Sequence, residues 1–278
     1  MPAISSQKVD VDDHVTGNLW TVDDIHELAK YIAVIALGQA EHAAEIIHEL
    51  GTVVPVRSRS EFYQEAREQL RIRGTTTKQI EVSRFHRDGF LFECISWIVA
   101  HQTADGNTFL KDPHISSTTQ GLDGLIIQMD PVEKVVLHTT ICEDKCTENP
   151  RKMFRDKVLS AFTEHHQNKR GPDLLANAVT LIRHSGLRGT QATLAAEKVY
   201  DITCRTYRAA LTVNSNTCNA DELQKLFKGY DELKDISKAQ RIGATFIVPG
   251  KLRDWFQELA DHVIAALDEF EAMEAAHV

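Results

Sequence analysis

Apolar positions recur with a helical period over most of the chain and with a period of two in only a few short stretches. After a polar lead-in, Thr21 and Asp24 form a capping pair ahead of an apolar-periodic run, with Gly38 and Gly51 as natural interruptions. One broken helix or a helical hairpin fits that pattern. Ser58 with Glu61 repeats the capping signal, and Phe62, Ala66, Gln69 and Leu70 lead to Gly74, which predicts a shorter helix studded with Arg59, Arg67, Arg71 and Arg73. Residues 1–80 therefore read as a helical N-terminal region.

Residues 85–101 are apolar almost all round (Phe90, Leu91, Phe92, Ile95, Trp97, Ile98, Val99), as expected of a helix buried in a core, with Glu93 the lone charge between Phe90 and Ala100. Residues 121–129 and 132–142 are rich in Val, Ile, Leu and Thr and flank Asp130-Pro131, so they predict two antiparallel strands joined by a turn. Asn149-Pro150 supplies an N-cap with Pro at the first helical position, opening a helix through Phe154, Val158 and Phe162 to about His166. Gly171-Pro172 is expected to end that unit. Further helices are expected over 173–184 and 190–201, residues 206–213 fit strand or helix, and Asn219 with Glu222 caps another helix. A β-branched run at 242–248 and a long amphipathic helix from Leu252 to Phe270 complete the chain. Residues 81–278 thus carry an α/β pattern of helix, strands, helix and later strand, with a helical C-terminal elaboration.

Composition narrows the function more than the fold. Forty acidic against 31 basic residues give a formal charge of −9, which argues against a generally polycationic nucleic-acid binder while leaving room for a local basic groove. The longest strongly apolar run, 31–37, is far short of the ~20 residues of a membrane-spanning helix. Residues 1–14 lack the basic and apolar regions of a signal peptide, so the expected location is the cytoplasm. Five cysteines without an even framework read as reduced thiols. Cys142 and Cys146 lack a second ligand pair at a zinc-site spacing. The chain also lacks a nucleophile elbow, a phosphate-binding glycine loop and a dinucleotide fingerprint.

The candidate chemistry lies at the end of the second predicted strand. Alternation puts Ile141, Glu143 and Lys145 on one face and Cys142 and Asp144 on the other. A carboxylate beside an ammonium at the polar end of an apolar strand suits metal-dependent phosphodiester hydrolysis: Glu143 can bind a hard divalent cation while Lys145 orients or helps deprotonate the attacking water. A hairpin centred on Glu133 would place Asp123, in Gly121-Leu122-Asp123-Gly124, opposite Glu143, whereas pairing centred on Pro131 would offset the two carboxylates. Glu93, costly to bury unpaired, is a third candidate ligand. Arg151, Lys152 and Arg155, at the start of the following helix where cations oppose the macrodipole, are candidates for binding phosphate backbone.

These residues resemble the PD-(D/E)xK nuclease superfamily: Glu93 on the first helix, Asp123 in Gly-Leu-Asp-Gly, and Glu143-Asp144-Lys145, with Leu122 where the name-giving proline would stand. More narrowly, Phe85-His86-Arg87-Asp88-Gly89, Gln120-Gly121-Leu122-Asp123-Gly124 and Cys142-Glu143-Asp144-Lys145 look like the nuclease subunit of the Hachiman anti-phage defence system. The core motifs cover about residues 81–166. The resemblance implies a restriction-endonuclease-like mixed sheet flanked by helices and Mg²⁺-dependent DNA cleavage, with Mn²⁺ as a substitute ion. It also implies a superfamily 2 helicase that controls the nuclease. In that reading Asp123, Glu143 and Lys145 are catalytic, Glu93, Asp123 and Glu143 hold metal, and Arg151, Lys152 and Arg155 contact DNA. Two other readings share the residues: a free-standing restriction-type endonuclease, and a non-catalytic adaptor that keeps the scaffold.

Overall fold

The computed structural model describes residues 2–114 and 122–276. Among these, seven strands form one mixed sheet: β1 (Ile4–Asp10), β2 (Thr16–Val22), β3 (Thr108–Leu110), β4 (Gly124–Met129), β5 (Val136–Lys145), β6 (Arg205–Asn214) and β7 (Arg241–Val248), in the order β1-β2-β7-β6-β5-β4-β3. Strands β2, β7, β6 and β5 run parallel, while β1 and β4 are antiparallel to their neighbours.

Helices cover both faces. On one side α1 (Ile25–Ala36), α2 (Ala40–Glu49), α4 (Thr77–Thr103) and α10 (Leu252–Ala276) share a core that includes Trp20, Ile32, Phe92, Phe246, Phe256 and Phe270. Helix α3 (Ser60–Leu70) lies on the same side. On the other side, α5 (Pro150–Met153), α6 (Leu159–His166), α7 (Gly171–Ile182), α8 (Gly189–Ala196) and α9 (Ala220–Leu226) surround a second core with Ile141, Phe154, Phe162, Tyr207, Phe227 and Tyr230. The α/β expectation, a mixed sheet flanked by helices, is therefore met.

Several local signals read differently in the folded chain. The polar lead-in is two strands, β1 and β2, so the region 1–80 is not wholly helical. The first helix is capped by Asp24 itself, whose carboxylate accepts from His26 N and Glu27 N, while Thr21 belongs to β2. Helix α3 begins at Ser60 with no side-chain cap. Helix α4 starts well before residue 85 because Thr76 and Gln79 form a capping box, a polar signal upstream of the apolar run. Gly171 opens α7 instead of ending a unit. Between α5 and α6 the backbone widens into one π-turn, Phe154–Val158, so the helix expected from Pro150 to His166 has a bulge in its middle. Residues 206–213 are strand, buried on both faces as a central parallel strand must be.

The turn between β4 and β5 decides where the polar strand ends meet. Asp130 accepts from Val132 N and Glu133 N and Lys134 takes a left-handed conformation (φ 54°), so the loop is longer than a two-residue turn. The resulting register pairs Gly124 with Cys142 and Leu125 with Ile141, the hairpin centred on Glu133, with an irregularity confined to Gln128 and Met129. Gln120 and Gly121 lie outside the described residues.

Candidate active site

Strand β5 builds the site by alternation. Ile141 enters the core beneath α6 and α7, and Glu143 and Lys145 follow it on that face, while Cys146 packs into the core of α4 and α10. Because Gly124 pairs with Cys142, the preceding Asp123 stands opposite Glu143 at the point where β4 begins. The two strands approach closely at Gly124, where an added Cβ would lie a tight 3.1 Å from Cys142 Cβ. Leu122, which precedes Asp123, is fully buried, and its carbonyl accepts from Lys111 Nζ at 3.1 Å.

Three of the expected residues converge. Lys145 Nζ is ion-paired with Asp123 Oδ2 and with Glu143 Oε2, the latter at 2.9 Å, and Asp144 N donates to the same Asp123 oxygen at 3.0 Å. Burial pushes the Glu143 carboxyl up to about 7 despite the nearby Lys145 ammonium, and the Asp123 charge adds to the rise. Burial pulls Lys145 the other way, but Asp123 and Glu143 together outweigh it and hold the ammonium above its usual range. The amine is therefore charged at neutral pH and acts as a hydrogen-bond donor. Asp144, on the opposite face, is raised to about 6 by burial against the pull of Arg208, whose Nη2 is 3.7 Å away and donates to Ser96 Oγ at 2.6 Å.

Glu93 is placed differently from its expected role. Its Oε1 accepts from His114 N at 2.9 Å and lies 2.8 Å from His114 Nδ1, while His114 Nε2 is 2.8 Å from Lys111 Nζ. Glu93 borders a small cavity with Asp123 and Asp144, and Lys111 and Arg208 line it too. The expected trio of Glu93, Asp123 and Glu143 does not gather: among the described residues, no group of three His, Cys, Asp or Glu side chains stands close enough to hold a metal ion. Asp123 and Glu143 offer the hard oxygen donors that a divalent magnesium-like ion takes.

The expected DNA contacts divide as well. Arg151 donates to the carbonyls of Leu226 and Lys228 at 3.1 and 2.7 Å, closing the C-terminal end of α9, and Arg155 is paired with its neighbour Asp156 at 2.6 Å. Lys152 is exposed. Sequence reasoning missed His114, Lys111 and Arg208, whose sequence distance from the motifs left no local signal. Arg253, which donates to Asp88 Oδ2 at 2.6 Å and lies 4.0 Å from Cys146 Sγ, was missed for the same reason.

Comparison of the chain with protein-family models, with curated proteins and with solved structures finds no match. Function is therefore argued from the geometry and from the motifs themselves.

Proposed function

We propose that the protein is a metal-dependent deoxyribonuclease of the PD-(D/E)xK kind. In the fuller form of this reading it is a cytoplasmic effector of a Hachiman-type anti-phage defence system, held in check and supplied with DNA by a superfamily 2 helicase. The observation that carries the chemical part is the meeting of Asp123, Glu143 and Lys145: two carboxylates opposite each other across the β4–β5 pair, with one ammonium between them. The helicase and the defence role rest on the sequence resemblance alone.

Asp123 and Glu143 would hold a divalent cation, Mg²⁺ or Mn²⁺, through carboxylate oxygens, and that ion would supply Lewis acidity at the scissile phosphate. Lys145, charged at neutral pH, would donate a hydrogen bond that orients the attacking water or a non-bridging phosphate oxygen. Asp144 N fixes the Asp123 carboxylate by its hydrogen bond, so the buried Asp144 side chain and Arg208 hold the strand end that presents the site. A second reading, a non-catalytic adaptor, is favoured by one observation: Glu93 is engaged by His114, and the three expected ligands do not assemble.

Plasmid cleavage separates the two. The nuclease reading expects nicking or linearisation with Mg²⁺, abolished by EDTA and reduced at least about a hundredfold in Glu143→Ala and Lys145→Ala. A partner helicase and its substrate should raise that rate. Cutting that ignores both substitutions, or protection of cells that survives them, would overturn the nuclease reading.

A further inference from the structure

Positive charge is concentrated in the segments flanking α3 and on the first turns of α4: eight Lys and Arg against four Glu fall between Arg57 and Arg87, in a chain of net charge −9. Part of this is structural, since Arg67 is held by Asp268 and Glu271 of α10. Much of the remainder faces a cleft of about 440 Å³ between the end of α3 and the start of α4, where Arg71, Arg73, Lys78 and His86 meet a single lining acid, Glu68, while the buried Arg87 is already paired with Asp88. Glu68 is shared by Arg71 and Arg73, each at 2.7 Å, and Lys78 has no ion-pair partner among the described residues. The cleft therefore keeps a cationic excess that a polyanion would neutralise.

One chain of contacts joins this cleft to the end of β5. Arg87 holds Asp88 Oδ1 at 2.8 Å, and Asp88 Oδ2 accepts from Arg253. The Arg253 guanidinium lies 4.8 Å from the centroid of the Phe85 ring and 4.0 Å from both Cys146 Sγ and Glu148, which follow Lys145 in sequence. Phe85 is 52% exposed, an unusual state for a phenyl ring on a long helix, and the cation fixes it in place. An open aromatic ring on α4, next in sequence to the cleft-lining His86, gives a surface of the kind that binds single-stranded nucleic acid: phosphates follow the charge and an unpaired base stacks on the ring. In an intact duplex the base faces are already stacked on their neighbours.

We propose that the α3–α4 cleft holds the backbone of a single nucleic-acid strand and that Phe85 stacks one of its bases, leading the strand to Asp123, Glu143 and Lys145. Only the last step rests on the nuclease reading.

The test is fluorescence anisotropy on the full chain in EDTA, with a labelled oligothymidylate of about twenty nucleotides and a duplex of equal length. The single strand should bind about tenfold or more tightly than the duplex, with an affinity that falls steeply with salt. The double substitution Arg73→Glu, Lys78→Glu should weaken binding at least about tenfold and flatten the salt slope. Phe85→Ala should weaken it about fivefold or more, with Phe85→Trp restoring it. Thermal melts of each variant show that the fold is kept. Equal or tighter binding to the duplex, no binding to either, or indifference to both the charge reversal and Phe85→Ala would overturn the proposal. Strand binding of the expected kind without cleavage in any divalent ion, even when the helicase and its substrate are supplied, sinks the nuclease reading and leaves the cleft standing, whereas Mg²⁺-dependent cleavage in variants whose cleft is dispensable does the reverse.

Discussion

Replacing Lys145 with methionine removes the cation between Asp123 and Glu143 and leaves two carboxylates facing each other at a strand end. An uncompensated, mostly buried charge of this kind costs about 2–3 kcal/mol. The cost depends on pH because the folded Glu143 carboxyl titrates at about 7, above its ordinary 4.5. A carboxyl raised from 4.5 to about 7 costs the fold stability as pH climbs from 4.5 to 7, and the full cost stands above 7. The Lys145→Met chain should therefore melt below the native chain at pH 5.5, where Asp123 has lost its ammonium partner, and by a wider margin at pH 8, where the Glu143 charge is left without it as well. Millimolar Mg²⁺ should recover part of the difference at pH 8 if the two carboxylates accept the ion, which differential scanning calorimetry can follow. The buried imidazoles act in the opposite range. Burial lowers His101 to about 3, with His48 adding to the effect, and burial lowers His165 to about 4, with Arg170 and Arg205 adding. Both stay neutral in the folded chain while the unfolded chain protonates near 6.5, so their contribution is present above 6.5 and is lost as pH falls. Each should cost on the order of 1–2 kcal/mol between pH 7 and 5. A His101→Gln chain should show a correspondingly flatter decline in urea midpoint over that interval.

At the level of single elements, Gly243 in the middle of β7 leaves room for Phe227: an added Cβ would fall 2.6 Å from the phenyl ring. That ring packs edge-on against Phe154, with centroids 5.4 Å apart, and has little room to retreat. Gly243→Ala should cost about 1–3 kcal/mol by overpacking, and Phe227→Leu in the same chain should recover part of it in urea unfolding. Arg151 offers a second test, since its bonds to Leu226 and Lys228 tie α5 to the end of α9. Arg151→Ala should lower stability by about 1–2 kcal/mol, while Lys152→Ala, exposed, should change it by less than about 0.5 kcal/mol. Elements of this kind differ in how plainly the sequence announces them. Helix α10 and the β4–β5 hairpin were legible because their apolar residues recur on one face and face a continuous core, and the same alternation placed Glu143 and Lys145 together. The π-turn at Phe154–Val158 left no periodic trace, since one extra residue within a helix shifts the apolar face without breaking it. The partner of Glu93 was equally hidden: a buried carboxylate in an apolar helix signals that something must satisfy it, but His114 is twenty-one residues away and nothing in either segment specifies the pairing.

For the molecule as a whole, the strands missing from the sequence reading matter most. Most β1 side chains reach toward solvent and most on β2 are only partly buried, so neither strand shows a full apolar alternation. The place of β2 is set by a partner more than two hundred residues away, with Thr16 to Trp20 paired in parallel with Ile242 to Phe246, and β1 adds to its outer edge. Helix α1 then fills the face of the sheet beside α10: Leu28, Ile32 and Ile35 share one core with Phe256, Leu259, Val263 and Leu267. Helix α3 is tied to the far part of α10 by Arg67 and by the Tyr63 hydroxyl, which donates to Glu274 at 2.8 Å. A chain starting at residue 81 would leave β7 without its outer neighbour and uncover that apolar face of α10. Each large side chain left in water forfeits roughly 1.5–3 kcal/mol, so a handful of them exceeds the ~5–15 kcal/mol by which a domain of this kind is stable. The expected outcome is a chain with residual helix by far-UV circular dichroism, strong binding of a hydrophobic dye and no cooperative melt. The substitutions at Lys145, in contrast, should preserve a sharp transition. A sharp two-state melt from residues 81–278 alone would show that β1, β2 and α1–α3 are dispensable to the sheet, and the carboxylate–lysine cluster could then be assayed on that smaller unit.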